Sequence, residues 1–398
     1  MPEHDLLSIA ESYKDQLVCF CQRLIRTPSP PGEEGEIAQV IAREMQDLGY
    51  DDVWTDKAGN VIGVARGTSP GKRIILNAHM DHVDPGDLSL WPSPPFSATI
   101  RDGCIWGRGA LDDKGPLAAQ LYAAGALKRS QIDFAGEIYV TAVVMEEVGG
   151  LGTRSLVRDI TADFAILGES TGNLLALGHR GCVHVILRVK GKSVHASVPS
   201  LGINPHYVVA RFLSRLENLP MRQSPVFGSS SVAPTVYRCD QSSSNVIPGE
   251  CELHLDWRNV PEEGRDEIIA SLGGIVNDSL IPGAQASLEV PQSELLSYKG
   301  LKMRMPSTFP SYALPADHPL VQESLHALRD LFGPSIHTRY WSFATDGGHL
   351  VEAGIPTIGY AAGDDRLAHT VQEHIEIDAL VRSLAGNIAI VKRLGALA

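Results

Sequence analysis

At 398 residues, 43% apolar and 20% charged, the chain is long enough to bury two hydrophobic cores and has the make-up of a globular protein. A formal net charge of −13 argues against nucleic acid or an anionic membrane surface as a partner.

Leu6, Ala10, Tyr13, Leu17, Phe20 and Leu24 recur at steps of four and three, which predicts an amphipathic helix closed by Pro28, Pro30 and Pro31. A second helix runs through Ile37, Ile41, Met45 and Leu48 to Gly49. Strand-like VIGVA and RIILNA follow, then a proline-rich loop (WPSPPF) and an Ala/Leu-rich helix from Pro116 to Leu127. Next come the strand IYVTAVVM, a glycine turn, a short helix near Thr153 to Arg158 and the strand FAIL. Strands alternating with helices predict an α/β fold with a mostly parallel sheet flanked by helices.

From Cys182 the pattern changes to strand, helix (Pro205 to Leu219), strand (SVAPTVYR), strand (CELHLDWR), helix (Glu262 to Val276) and strand (ASLEV). That β-α-β-β-α-β order is the ferredoxin-like unit and is complete in itself, so an inserted domain is expected at 181–292, splitting another domain into 1–180 and 293–398. The first pattern then resumes with a helix from Pro319 to Phe332, the strand IPTIGY and a helix from Ile377 to about Leu394.

The six cysteines (Cys19, Cys21, Cys104, Cys182, Cys239 and Cys251) show no C-x-x-C spacing and are too few for a disulfide framework, which predicts reduced, mostly packed thiols. The N-terminal residues lack the pattern of a secretory leader, and no run approaches the ~20 apolar residues of a membrane span. A cytoplasmic protein without a membrane partner is expected.

Five metal-binding residue types sit just past strand-like runs or in a tight turn: His79, Asp112, Glu147, Glu169 and His369. In an open α/β sheet, ligands bind outside the carboxyl ends of the strands, where residues distant in sequence converge. His79 and Asp81 form H-x-D, and a ligating histidine commonly gives its other N–H to a carboxylate. Asp112 lies in GRGALDDKG, where it is either an N-cap or a carboxylate able to bridge two cations; Asp113 and Lys114 could be a solvated pair. Glu146 and Glu147 follow an apolar strand and point opposite ways, so one can bind metal while the other serves as a base. Mixed His/carboxylate ligation suits two divalent cations: zinc first, with cobalt or manganese as alternatives.

These motifs, in this order, resemble the co-catalytic zinc hydrolases of metallopeptidase clan MH, which include acetylornithine deacetylase, succinyl-diaminopimelate desuccinylase, carboxypeptidase G and aminoacylase. The motifs are H-x-D, GRGxxDxKG, EE-x-GG, GES and the late A-H, and the resemblance spans nearly the whole chain. Its tail (YALPADHPLV through GIPTIGYAAGDDRLAH) is most similar to a branch of selenium-metabolism hydrolases. The resemblance implies a zinc-exopeptidase-like fold whose insertion is a lid and dimerisation domain, hence a homodimer. It implies that Asp112 bridges two metals, that His79 and Glu169 complete one site and Glu147 and His369 the other, and that Glu146 is the general base with Asp81 orienting His79. It also implies a cis bond between Asp112 and Asp113, a histidine (His195) reaching the substrate carbonyl, and Asn245 and Arg258 holding substrate polar groups. The expected substrate is a small N-acyl amino acid or short peptide. His82 departs from the family, standing where a threonine is usual.

Two rivals remain at this point. Gly168-Glu169-Ser170-Thr171-Gly172 matches the G-x-S-x-G elbow of serine hydrolases, with Asp346 and His369 in the required chain order. A non-catalytic metal-binding scaffold is the other. A carbamoyl amidase ranks lower, because family carbamoylases usually have histidine at the position of Glu169. GRGALD lacks the third glycine of a dinucleotide fingerprint, which argues against NAD.

Overall fold

The structure, a computed structural model, describes residues 4–130 and 132–397. Its contacts divide the chain into two units: Met1–His179 with Leu295–Met303 and Ala313–Ala398, and Arg180–Glu294 with Arg304–Tyr312.

The first unit opens with α1 (His4–Ser12), α2 (Lys14–Ile25) and α3 (Gly35–Asp47). The expected single N-terminal helix is broken at Tyr13, whose N–H bonds Ala10 three residues back rather than four. The apolar stripe nevertheless continues across the break, with Leu6, Ala10, Leu17, Phe20 and Leu24 all buried. There follow β1 (Asp52–Thr55), β2 (Val61–Arg66), β3 (Ser69–His79), α4 (Gly115–Arg129), β4 (Ala135–Val143), β5 (Phe164–Leu167) and β6 (Leu175–His179).

The second unit contains β7 (Cys182–Lys190), α5 (Pro205–Leu216), β8 (Ser231–Cys239), β9 (Glu250–Arg258), α6 (Arg265–Ser279) and β10 (Gln285–Glu289). Its strands pair antiparallel in the order β8-β9-β7-β10, which is the ferredoxin-like arrangement. Alternate residues of β7 and β9 (Val185, Leu187, Val189; Leu253, Leu255, Trp257) form one core with Phe212 of α5 and Leu272 of α6.

The chain then adds α7 (Pro319–Phe332), β11 (Thr338–Trp341), β12 (Thr357–Gly359) and α8 (Ile377–Gly395) to the first unit. Eight strands of the sheet in that unit run β1-β2-β4-β3-β5-β12-β6, with β11 beside β6. Its centre, β4-β3-β5-β12, is parallel, whereas β1, β2 and β6 join antiparallel. Burial explains the split. The run Ile74 to His79 is covered throughout, as a parallel interior strand requires, and α4 and α8 pack over the sheet. Because β3, β4 and β5 are parallel and in register (His79 beside Val143, Asn77 beside Leu167), their carboxyl ends deliver their loops to one edge.

Candidate metal centre

His79 is the last residue of β3, and Glu147 and Glu169 lie just beyond β4 and β5 on the same edge. Asp112 comes from the turn before α4, and His369 from the loop after β12. These five are brought together. Asp112 faces both ways: its Oδ1 is 2.9 Å from His79 Nε2 and its Oδ2 is 3.1 Å from His369 Nε2. His369 Nε2 is also 3.1 Å from Glu147 Oε1, and His79 Nε2 lies 3.9 Å from Glu169 Oε1. Candidate ligand atoms of His79, Asp112 and Glu147 lie within 4.8 Å of one another, as do those of His79, Asp113 and Glu169.

Asp81 supports this edge from beneath. It is fully buried, and its two oxygens accept the backbone N–H groups of Glu146 (3.1 Å) and Glu147 (3.2 Å). Its carboxylate also stands 3.5 Å from His79 Nδ1. Met145 and His369 both adopt positive φ (55° and 62°), a conformation uncommon for residues other than glycine and held only when the surroundings demand it. The Asp112–Asp113 peptide is cis.

The electrostatics call for cations. Burial pushes Glu146 well above the usual carboxylate range, and the charges of Asp346 and Glu169 add to the effect. Burial and then Asp112 do the same to Glu169, and to a smaller degree to Glu147. Burial opposes ionisation of Asp112, but His369 and His79 outweigh it and hold the carboxyl below its ordinary value. Such a concentration of buried acids is stable only when protons or cations compensate the charge. Imidazole nitrogens and carboxylate oxygens are the donor set that divalent zinc, cobalt and manganese accept, so the residues fit a metal pair.

Several residues escaped the sequence reading. Glu373 accepts the N–H groups of Leu111 (3.2 Å) and Asp112 (3.4 Å) through Oε1 and pairs with the buried Arg108 through Oε2. Glu34 accepts the N–H of Met145 at 3.2 Å. None follows a strand-end pattern, because each acts on backbone or on another side chain.

Other expectations are corrected. Asp113 and Lys114 are not a solvated pair: both are buried, and Lys114 Nζ donates to Thr27 O at 2.8 Å. Ser170 is not an exposed elbow nucleophile. It is 2% exposed, its hydroxyl donates to Leu111 O at 2.9 Å, and the chain soon enters β6 rather than a helix. The acids and bases that the elbow required are engaged elsewhere, Asp346 with Thr153 and His369 with Asp112 and Glu147. His82 is absorbed by the fold, accepting the Ser29 N–H at 2.9 Å and donating from Nδ1 to Val83 O at 2.8 Å.

In the second unit, His195 pairs with Val246 in a short antiparallel ladder, and the next residue, Ala196, donates its N–H to Asn245 O at 2.8 Å. His195 is exposed, with Ser197 Oγ 2.7 Å from its Nδ1. Arg258 closes on Asp256 with two hydrogen bonds, of 2.7 and 3.0 Å. Among the described residues, no helix is long and apolar enough to cross a membrane.

The sequence pattern of Peptidase family M20/M25/M40 matches residues 75–393. The chain is 30% identical over 409 residues to N-formyl-4-amino-5-aminomethyl-2-methylpyrimidine deformylase of Halalkalibacterium halodurans, covering 95% of this chain and 94% of that one. It is 30% identical over 259 residues to succinyl-diaminopimelate desuccinylase 2 of Shewanella loihica, covering 60% of this chain and 67% of the relative. Its fold matches the crystal structure of aminopeptidase PepT from Bacillus cereus with a TM-score of 0.78, 21% identity, and 96% and 98% of the two chains covered.

Proposed function

We propose a substrate class and a set of residue roles for this chain, which belongs to peptidase family M20/M25/M40. It is a metal-dependent amide hydrolase. The substrate we assign is a small N-acyl amine, N-acyl amino acid or short peptide, cleaved at its C–N amide bond. One observation carries the reading: Asp112 turns one oxygen to His79 (2.9 Å) and the other to His369 (3.1 Å), the posture of a carboxylate shared between two cation positions.

In this reading His79 and Glu169 would hold one cation, Glu147 and His369 the other, and Asp112 would serve both. Zinc is the preferred ion, with cobalt or manganese as alternatives. When bound, such a pair polarises the amide carbonyl and acidifies the attacking water. Glu146, buried beside them, takes the proton from that water and delivers it to the departing amine. Its raised proton affinity suits both halves of that task. Asp81 keeps the His79 ring turned and fixes the backbone of Glu146.

We assign the second unit, about residues 181–292, the roles of lid and homodimer contact. His195 would donate to the carbonyl oxygen, while Asn245 and Arg258 would hold the substrate's polar end. For Arg258 this means exchanging Asp256 for a substrate carboxylate, which its planar fork binds equally well. The cytoplasm is the compartment we assign, in keeping with six free cysteines.

The test is turnover by metal-reconstituted protein across N-formyl amines (the aminomethylpyrimidine of the bacterial relative included), N-acyl amino acids and dipeptides. A chelator should abolish amine release, and a serine-directed reagent should not. Glu146→Gln should keep its cations and lose at least about a hundredfold in kcat. Wild-type turnover by the cation-loaded variant would sink the base assignment.

A further inference from the structure

Two of the three cysteines of the second unit are more than packing residues. Cys239, at the end of β8, and Cys251, near the start of β9, are register partners, so their side chains leave the sheet on the same face. Their Sγ atoms are 3.0 Å apart. His206, in the first turn of α5, aims Nδ1 at both, 3.7 Å from Cys251 Sγ and 4.0 Å from Cys239 Sγ. Tyr237, two residues before Cys239 and on the same face of β8, brings its hydroxyl 2.5 Å from that nitrogen. Asn204 fixes the approach, its side chain accepting the N–H of His206 at 3.0 Å to cap the helix. Cys251 is fully buried and Cys239 half-buried, so the cluster is walled on one side and reachable from the other.

We propose that His206, Cys239 and Cys251 form a second metal site, separate from the centre at Asp112, for a thiophilic cation of the zinc type. The Tyr237 hydroxyl or a water would close the fourth position. Tetrahedral zinc, with bonds of about 2.3 Å to sulfur and 2.0 Å to nitrogen, sets sulfur and nitrogen ligands about 3.5 Å apart and two sulfurs about 3.8 Å apart. The nitrogen–sulfur distances already lie near that figure, and the sulfurs need to part by less than about 1 Å. Two thiolates make the site soft, whereas the other centre offers only imidazole and carboxylate. Binding releases the two thiol protons and clips the start of α5 to the β8–β9 hairpin. The sequence hides the site because hairpin register, not a C-x-x-C motif, assembles it: the two cysteines are 12 positions apart, and His206 lies 33 before Cys239.

The experiment titrates reduced, metal-free full-length protein with Co²⁺. The expected result is an intense near-ultraviolet thiolate-to-cobalt band, which imidazole and carboxylate ligands cannot produce. One Co²⁺ equivalent and this band should vanish together in Cys239→Ser and in His206→Ala, with turnover by the Co²⁺-loaded variants unchanged. In a parallel measurement, Zn²⁺ should shield two of the six cysteines from alkylation in the wild type and none in His206→Ala. A wild type without the band, a band that survives both substitutions, or equal alkylation with and without Zn²⁺ would overturn the proposal.

Discussion

Asp81 holds Glu146 by its backbone: Oδ1 accepts the Glu146 N–H at 3.1 Å, while Oδ2 takes that of Glu147 at 3.2 Å. The same residue faces His79 Nδ1, with its backbone carbonyl at 3.1 Å and its carboxylate at 3.5 Å. Asp81→Asn preserves the shape but presents an amide NH₂ to an N–H that needs an acceptor. Turnover and cation affinity should fall about 10- to 100-fold, read as kcat and as metal retained after dialysis. Unchanged values for both would show that the carboxylate does not orient the site.

Arg108 and Glu373 are a buried ion pair, 2% and 0% exposed, behind the turn that carries Asp112. Removing one partner leaves the other charge stranded. Arg108→Ala should cost about 3–5 kcal/mol in denaturant unfolding. The double substitution Arg108→Ala with Glu373→Ala should cost less than the two single losses added together. Strict additivity would mean that the pair is not coupled.

His82 gives a pH dependence whose sign is fixed. Burial, with Lys114 adding to it, lowers its pKa from 6.5 to about 4, and both ring nitrogens are engaged in the neutral form. Below pH 6.5 the unfolded chain takes up a proton that the folded chain refuses until about pH 4. Stability contributed by this residue should therefore decline as pH falls through that window, by about 3 kcal/mol in all. His82→Gln should flatten that part of the profile of unfolding free energy against pH. An identical slope in the variant would assign the dependence to other groups.

Ser170 separates the two chemistries considered for this chain. Its buried hydroxyl donates to Leu111 O at 2.9 Å, so Ser170→Ala should lose about 1 kcal/mol of stability and keep its turnover. Loss of activity in a folded, metal-loaded Ser170→Ala protein would restore the serine nucleophile.

Gly359 closes β12 against the indole of Trp341, where an added Cβ would meet the ring at 2.0 Å. The ring is also fixed, since Trp341 Nε1 donates to Ser170 O at 2.9 Å. Gly359→Ala should therefore cost about 1–3 kcal/mol, measured as a lowered midpoint of thermal unfolding.

The parallel centre of the sheet was legible in the sequence because strand-like runs such as RIILNA and FAIL alternate with helical stretches, the pattern of parallel strands joined by crossover helices. The positions of His79, Glu147 and Glu169 followed from the same runs, since the residue after such a strand must leave at its carboxyl edge. The antiparallel flanks were not legible. β1 is only four residues long and mostly exposed, and β6 carries a glycine and directly precedes the change of pattern. Glu34 and Glu373 stayed hidden for another reason: they accept N–H groups of residues far off in the chain, and no local periodicity marks an acceptor of that kind, nor the arginine (Arg108) that donates to Glu373. Tyr13 shows the reverse case, in which a single unbroken periodicity spans two helices because burial continues where the hydrogen-bond ladder does not.

His369 is separated from the other four candidate ligands by the entire second unit. During synthesis, a nascent chain can thus expose the acids at Glu146 and Glu169 long before the imidazole that completes their pocket has left the ribosome. With the ligand set proposed above, cation uptake would be a late checkpoint of maturation, and a fragment truncated inside the second unit would lack the means to pass it.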